Sequence, residues 1–127
     1  MDYQLNEQER VELARVVMTI FEDWELNAEY QKVLLGMEAD VHTRELSGFR
    51  RGSAFPDNEQ LIERARHVIG IHQALQRVFP MNPRMPAFWL YTRNRQLNGM
   101  PMEIMLEEGV TGMTRVWSHL DCTVNWG

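Results

Sequence analysis

Apolar residues recur along this chain at helical spacing, and no segment alternates with period two over a convincing length. Asn6 with Glu9 three residues on forms a capping-box pattern, and Val11, Ala14, Val17, Met18, Phe21 and Trp24 follow on one face. Together they predict an amphipathic helix over residues 6–24. Asn27 is placed to cap a short second helix ending at Gly36, with Tyr30, Val33 and Leu34 inward. Asp40 is the expected cap of a third, running to about Ser47 before a loop marked by Gly48, Gly52, Ser53 and Pro56. Asp57, followed by Gln60, restarts a helix. Leu61, Ala65, Val68, His72, Leu75 and Phe79 then give one apolar seam across residues 58–79. Pro80, Pro83 and Pro86 break the chain, and a short helix around 86–92 holds Phe88, Trp89 and Leu90. Asn98-Gly99 is a turn signal, and Pro101 suits the first position of a helix carrying Ile104, Met105 and Leu106 that Gly109 ends. Val110, Met113, Val116, Trp117 and Leu120 form a last seam. The expected fold class is all-α.

Composition narrows the setting. A chain of 127 residues makes one domain, or two small units fused through a shared core. The Pro56 loop divides it into residues 1–56, of helix-turn-helix character, and residues 57–127. No apolar run approaches the roughly 20 residues that span a bilayer. The polar, acidic start Met1-Asp2-Tyr3-Gln4 is the wrong chemistry for a signal peptide, and the single Cys122 cannot form an internal disulfide. Both features point to the cytoplasm, with no membrane partner. The net charge of −5 lies entirely in residues 1–52, where six basic residues face eleven acids; residues 53–127 carry seven of each. The basic stripe that marks a nucleic-acid binder is missing at whole-chain level.

Candidate chemistry is sparse. His42, His67, His72 and His119 show no metal-ligand spacing, and His67 and His72, five apart, do not share a helix face. His72, on an apolar seam, reads as a core or interface histidine. Cys122 near His119 and Asp121 admits a thiol hydrolase as a rival reading, but a lone cysteine more often fills apolar space. Glu107-Glu108 reads as a solvated helix end, and Gly48 and Gly52 flank Arg50 and Arg51 rather than a phosphate-binding pattern. No enzyme, metal site or cofactor is expected. Met100, Met102, Met105 and Met113 cluster in the last third, as core filler or as a surface that repacks on a partner. Residues 26–52 fit either a degenerate helix-turn-helix, with Arg44, Arg50 and Arg51 as DNA contacts, or a plain helical hairpin. The acidic Glu38, Asp40 and Glu45 weigh against DNA.

Three stretches carry a resemblance. In HVIGIHQALQRVF the matching residues are Ile69, Gly70, Ile71, Ala74, Leu75 and Phe79. In FWLYTRNRQLNGMPMEIMLEEG they are Trp89, Leu90, Asn94, Leu97, Gly99, Pro101, Met105, Leu106 and Gly109. In VTGMTRVWSHLD they are Val116 and Leu120. In this order, over residues 61–122, the chain resembles the toxin-binding domain of Xre/MbcA/ParS-type antitoxins. It departs from the family at Arg93, where proline is usual, and at the longer spacing to Phe49-Arg50-Arg51-Gly52.

The resemblance implies a type II antitoxin that binds and covers a RES-domain toxin, an enzyme that consumes NAD⁺, and in many members also binds operator DNA. Residues 57–127 would then be the toxin-binding domain, with Trp89, Asn94, Gly99, Pro101 and Met105 in its toxin-binding surface. The covering segment would be the last helix and the tail 123–127, where Trp126 fills a nucleotide-sized pocket and the Gly127 carboxylate meets groups that hold phosphate. A homo-oligomer is expected. The alternative is a DNA-binding transcriptional regulator that stands alone, without a toxin.

Overall fold

A computed structural model describes the backbone of residues 4–126 and the side chains of residues 4–123. Among these residues the fold is all-α, with helices α1 (Glu7–Asp23), α2 (Ala28–Leu35), α3 (Thr43–Arg50), α4 (Glu59–Val78), α5 (Met85–Leu90), α6 (Pro101–Glu108) and α7 (Val110–Trp126). No helix among the described residues is long and apolar enough to cross a membrane.

The helix starts follow local chemistry. Asn6 and Glu9 form the reciprocal capping box, with Asn6 Oδ1 accepting from Glu9 N at 2.8 Å and Glu9 Oε1 from Asn6 N at 2.9 Å. Asn27 caps α2 through Tyr30 N, and Gly36 ends it at φ 72°, a left-handed conformation that glycine adopts without a Cβ penalty. Pro101 opens α6, and its missing N–H would have had no helical partner.

Four expectations need correction. The cap of α4 is Asn58 rather than Asp57, its Oδ1 accepting from Gln60 N at 3.0 Å and Leu61 N at 3.2 Å. The third helix starts at Thr43, not Asp40, because residues 38–41 close a turn through Val41 N donating to Glu38 O. It passes Gly48 to Arg50, which buries Phe49 edge-on against Phe55 at 4.9 Å. The inward face of α2 is also rotated. Tyr30 and Val33 are exposed, whereas Gln31, Leu34 and Leu35 are buried together at i, i+3 and i+4. Gln31 is accommodated because its Nε2 donates to Leu26 O at 2.9 Å. Finally, residues 123–126 continue α7 instead of leaving it as a separate tail.

One apolar cluster includes residues from both sides of position 56, from Ala14, Phe21 and Trp24 of the α1 region to Leu75 of α4, Met105 of α6 and Val116 of α7. The long α4 is its axis, packing on α7, α1, α2 and α5, and α6 lies along α7. Two glycines set these approaches. A Cβ on Gly70 would lie 2.2 Å from the Trp117 indole, and one on Gly112 would lie 2.3 Å from the Ile104 carbonyl oxygen. Arg64 joins three elements from α4: its Nη1 donates to Val33 O and Leu34 O at the end of α2, and its guanidinium passes beside Gly109.

Candidate functional site

The resemblance places its residues around α5, the loop after it and the start of α6. The structure brings several of them together. Trp89 is half-buried on α5 and stacks on His119 of α7, with ring centroids 6.0 Å apart and planes 14° from parallel. Asn94 lies beside this pair, its Nδ2 3.4 Å from His119 Nε2. That bond needs His119 neutral with its proton on Nδ1, and burial does push His119 below the ordinary histidine value.

Asn94 also fixes the loop. Its N donates to Gly99 O at 2.8 Å, Gly99 N returns a bond to Asn94 O at 3.2 Å, and its Oδ1 accepts from Leu97 N at 3.0 Å. Asn98 takes the left-handed conformation inside this turn, at φ 58°. Arg115 ties the loop down, donating from Nη2 to Leu97 O at 2.9 Å while Nη1 pairs with Glu108 at 2.7 Å. The arrangement is a stiff loop on a helical base.

Pro101 and Met105 sit beneath the loop. Both are buried, Met105 to 1% exposure, so they shape the surface from below and offer a partner no atoms of their own. What the surface presents is Phe88, 64% exposed, together with the exposed Arg93 and Arg95. A shallow cleft of about 340 Å³ runs between Trp89, Thr92, Arg93, Asn94, Arg95 and Gln96. A second, of about 430 Å³, lies among Arg93, Arg95 and Asn98, and Arg93 Nη2 donates to Asn98 Oδ1 at 3.3 Å.

Sequence reasoning missed Phe88, Arg93, Arg95 and His119 as parts of this face. The first three lie within FWLYTRNR, where two arginines flanking Asn94 were the available signal. His119 comes from 25 residues further on and gives no such signal. Trp126 is the last helical residue of α7, and the expectations for its side chain and for Gly127 lie outside the described residues.

The second group, Arg44, Arg50 and Arg51, lies on α3 and its C-cap, and all three are exposed. Arg44 and Arg51 are two helical turns apart and share a face, whereas Arg50 turns to Gln31, its Nη2 3.5 Å from Oε1. Residues 36–42 connect α2 to α3, longer than the three- or four-residue turn of a compact helix-turn-helix. The main packing partner of α3 is α1, while α2 packs on α4 and α6.

Cys122 is exposed. Three residues before it, His119 is engaged by Trp89 and Asn94. Among the described residues, no three histidine, cysteine, aspartate or glutamate side chains converge as a metal site would require. No protein-family model matches the chain, and no curated protein matches it.

Proposed function

We propose that this chain is an antitoxin that works by occlusion, docking a RES-domain, NAD⁺-consuming toxin against the face formed by α5 and the 91–100 loop. The observation that carries the reading is the exposed Phe88 on α5, next along the chain to the Trp89 that stacks on His119, ahead of a loop tied by Asn94 and carrying the exposed Arg93 and Arg95. A protruding aromatic on a stiff base with a basic rim has the anatomy of a protein-docking surface: little conformational entropy is lost on binding, and the rim selects an acidic partner surface. The ordered resemblance of residues 61–122 supplies the identity of the partner. α7, running to Trp126, would reach over the toxin's active site.

Phe88→Ala tests the reading with little disturbance to the fold, since most of the ring is in solvent. Co-elution with the host's RES-domain protein should weaken by about 1–2 kcal/mol in affinity, typical of losing an interface aromatic, with the melting temperature unchanged. Unaltered affinity would remove α5 from the interface.

Operator binding through Arg44, Arg50 and Arg51 is a second activity of the same reading. It is favoured by the shared face of Arg44 and Arg51 and opposed by the −5 charge of residues 1–52.

A further inference from the structure

The 91–100 loop carries two clefts that share Arg93 and Arg95. One, of about 430 Å³, is lined by these two and Asn98. The other, of about 340 Å³, also reaches Trp89. Both arginines are exposed, and neither pairs with a carboxylate among the described residues. The chain carries 18 acidic residues, yet none lines either cleft. Glu108 is linked to this loop through Arg115 and is engaged by that arginine. The neutral lining groups offer few acceptors. Asn98 Oδ1 already accepts from Arg93 Nη2 at 3.3 Å, Asn94 Oδ1 accepts from Leu97 N, Thr92 Oγ1 donates to Phe88 O, and Gln96 brings its acceptor together with donors. A guanidinium only donates. The clefts are therefore rich in donors and positive charge, and an acceptor-rich anion complements them.

We propose that Arg93 and Arg95 bind the dianionic phosphate of an aromatic phosphate monoester, whose ring lies beside Trp89 in the adjoining cleft. A monoester phosphate carries about two negative charges at neutral pH and three terminal oxygens, enough to meet two guanidinium forks at once. A carboxylate or a phosphodiester brings one charge and two free oxygens, which one arginine satisfies alone. An ammonium group would meet like charge from both arginines. The backbone beneath is fixed before binding: Asn94 and Gly99 exchange both backbone hydrogen bonds, and Arg115 holds Leu97 O. Little order has to be imposed on the loop when a ligand arrives. Trp89 is half-buried and stacked on His119, so it too is set in place, and an indole is a platform for an aromatic ring. Nucleoside monophosphates belong to this ligand class. The site shares its loop with the docking face proposed above, but it is a property of the chain alone and does not rest on that reading.

The test follows the Nε–H resonances of Arg93 and Arg95 and the indole N–H of Trp89 by NMR in the full chain. Phenyl phosphate, inorganic phosphate and phenyl sulfate are added separately at fixed ionic strength and a pH of about 7.5, where the monoester is a dianion. Phenyl phosphate should shift all three resonances saturably. Inorganic phosphate should shift the arginines and leave the indole unmoved. Phenyl sulfate keeps the ring and the tetrahedral head but brings a single charge, and should bind at least about tenfold more weakly, as when a charge-assisted bond is lost. Arg95→Gln should weaken phenyl phosphate by a similar factor with the melting temperature unchanged, since the side chain is exposed. Arg15→Gln removes the same charge from α1 and should leave the affinity unaltered. No saturable shift, equal binding of phenyl sulfate, an equal loss in Arg15→Gln, or an indole that responds to phenyl phosphate no more than to inorganic phosphate would overturn the proposal. None of these results bears on toxin docking, which the Phe88→Ala comparison reads with the partner present.

Discussion

Gly70 lacks a side chain where the Trp117 indole occupies the space of one. Two effects oppose each other if it becomes alanine. The methyl group forces the ring aside, an overpacking cost of about 1–3 kcal/mol. Alanine also suits a helix interior better, by up to about 1 kcal/mol. Gly70→Ala should therefore lower the urea midpoint in the wild type and raise it in a Trp117→Leu background. A lower midpoint in both backgrounds would show that Trp117 is not the obstacle. Histidines give the second prediction at this scale. His72 and His119 are both held below the ordinary value chiefly by burial, with Asp23 partly offsetting the shift at His72. Each binds a proton more readily in the unfolded chain, so the stability they contribute is fully present above about pH 6.5 and is lost as pH falls through the folded values. A protonated His119 also offers Asn94 Nδ2 no acceptor. The melting temperature should drop between about pH 7.5 and about pH 5.5, and drop less in the His72→Gln, His119→Gln double variant. Equal drops would place the pH dependence elsewhere.

At the scale of elements, what was legible in the sequence was what is decided within a few residues. The α1 capping box, the Asn27 and Gly36 bounds of α2, and Pro101 at the start of α6 are local chemistry, and they read directly. The bounds of α3 and the rotation of α2 were not legible, because long-range contacts settle them. Phe49 prolongs α3 to meet Phe55, and Gln31 turns inward because Leu26 O is there to accept from it. The candidate face divides the same way. Trp89, Asn94 and Gly99, which the resemblance named, lie together on α5 and its loop, whereas His119 reaches them from α7 and Pro101 and Met105 go into the core. The element-scale prediction concerns α3. If it meets DNA, replacing Arg44, Arg50 and Arg51 by Ala should abolish the mobility shift on DNA from upstream of the chain's own gene, and replacing one of them should flatten its salt dependence by about 0.9 in slope for each phosphate no longer neutralised. A wild-type chain that shifts no such DNA at low salt would make α3 a purely architectural helix packed on α1.

For the whole molecule, α4 carries a single apolar core on which two faces of different character are mounted. Residues 1–52 hold the entire net charge of −5, while α5 exposes Phe88 and the loop after it exposes Arg93 and Arg95. This polarity would orient an acidic partner toward α5 and away from α1 before the two surfaces meet. Occlusion would require nothing of the chain but shape and rigidity, and the hydrogen bonds of the Asn94 loop and the Arg115 tie to Leu97 O would serve that requirement. On the proposed function, this surface silences an enzyme by covering it. The most direct measurement is the rate of NAD⁺ consumption by the host's RES-domain protein as purified chain is added. Under occlusion the rate falls linearly to zero at a fixed stoichiometry, with Phe88→Ala and deletion of residues 123–127 each needing more protein to reach the same inhibition. A rate that stays unchanged at several-fold excess of folded chain would contradict it.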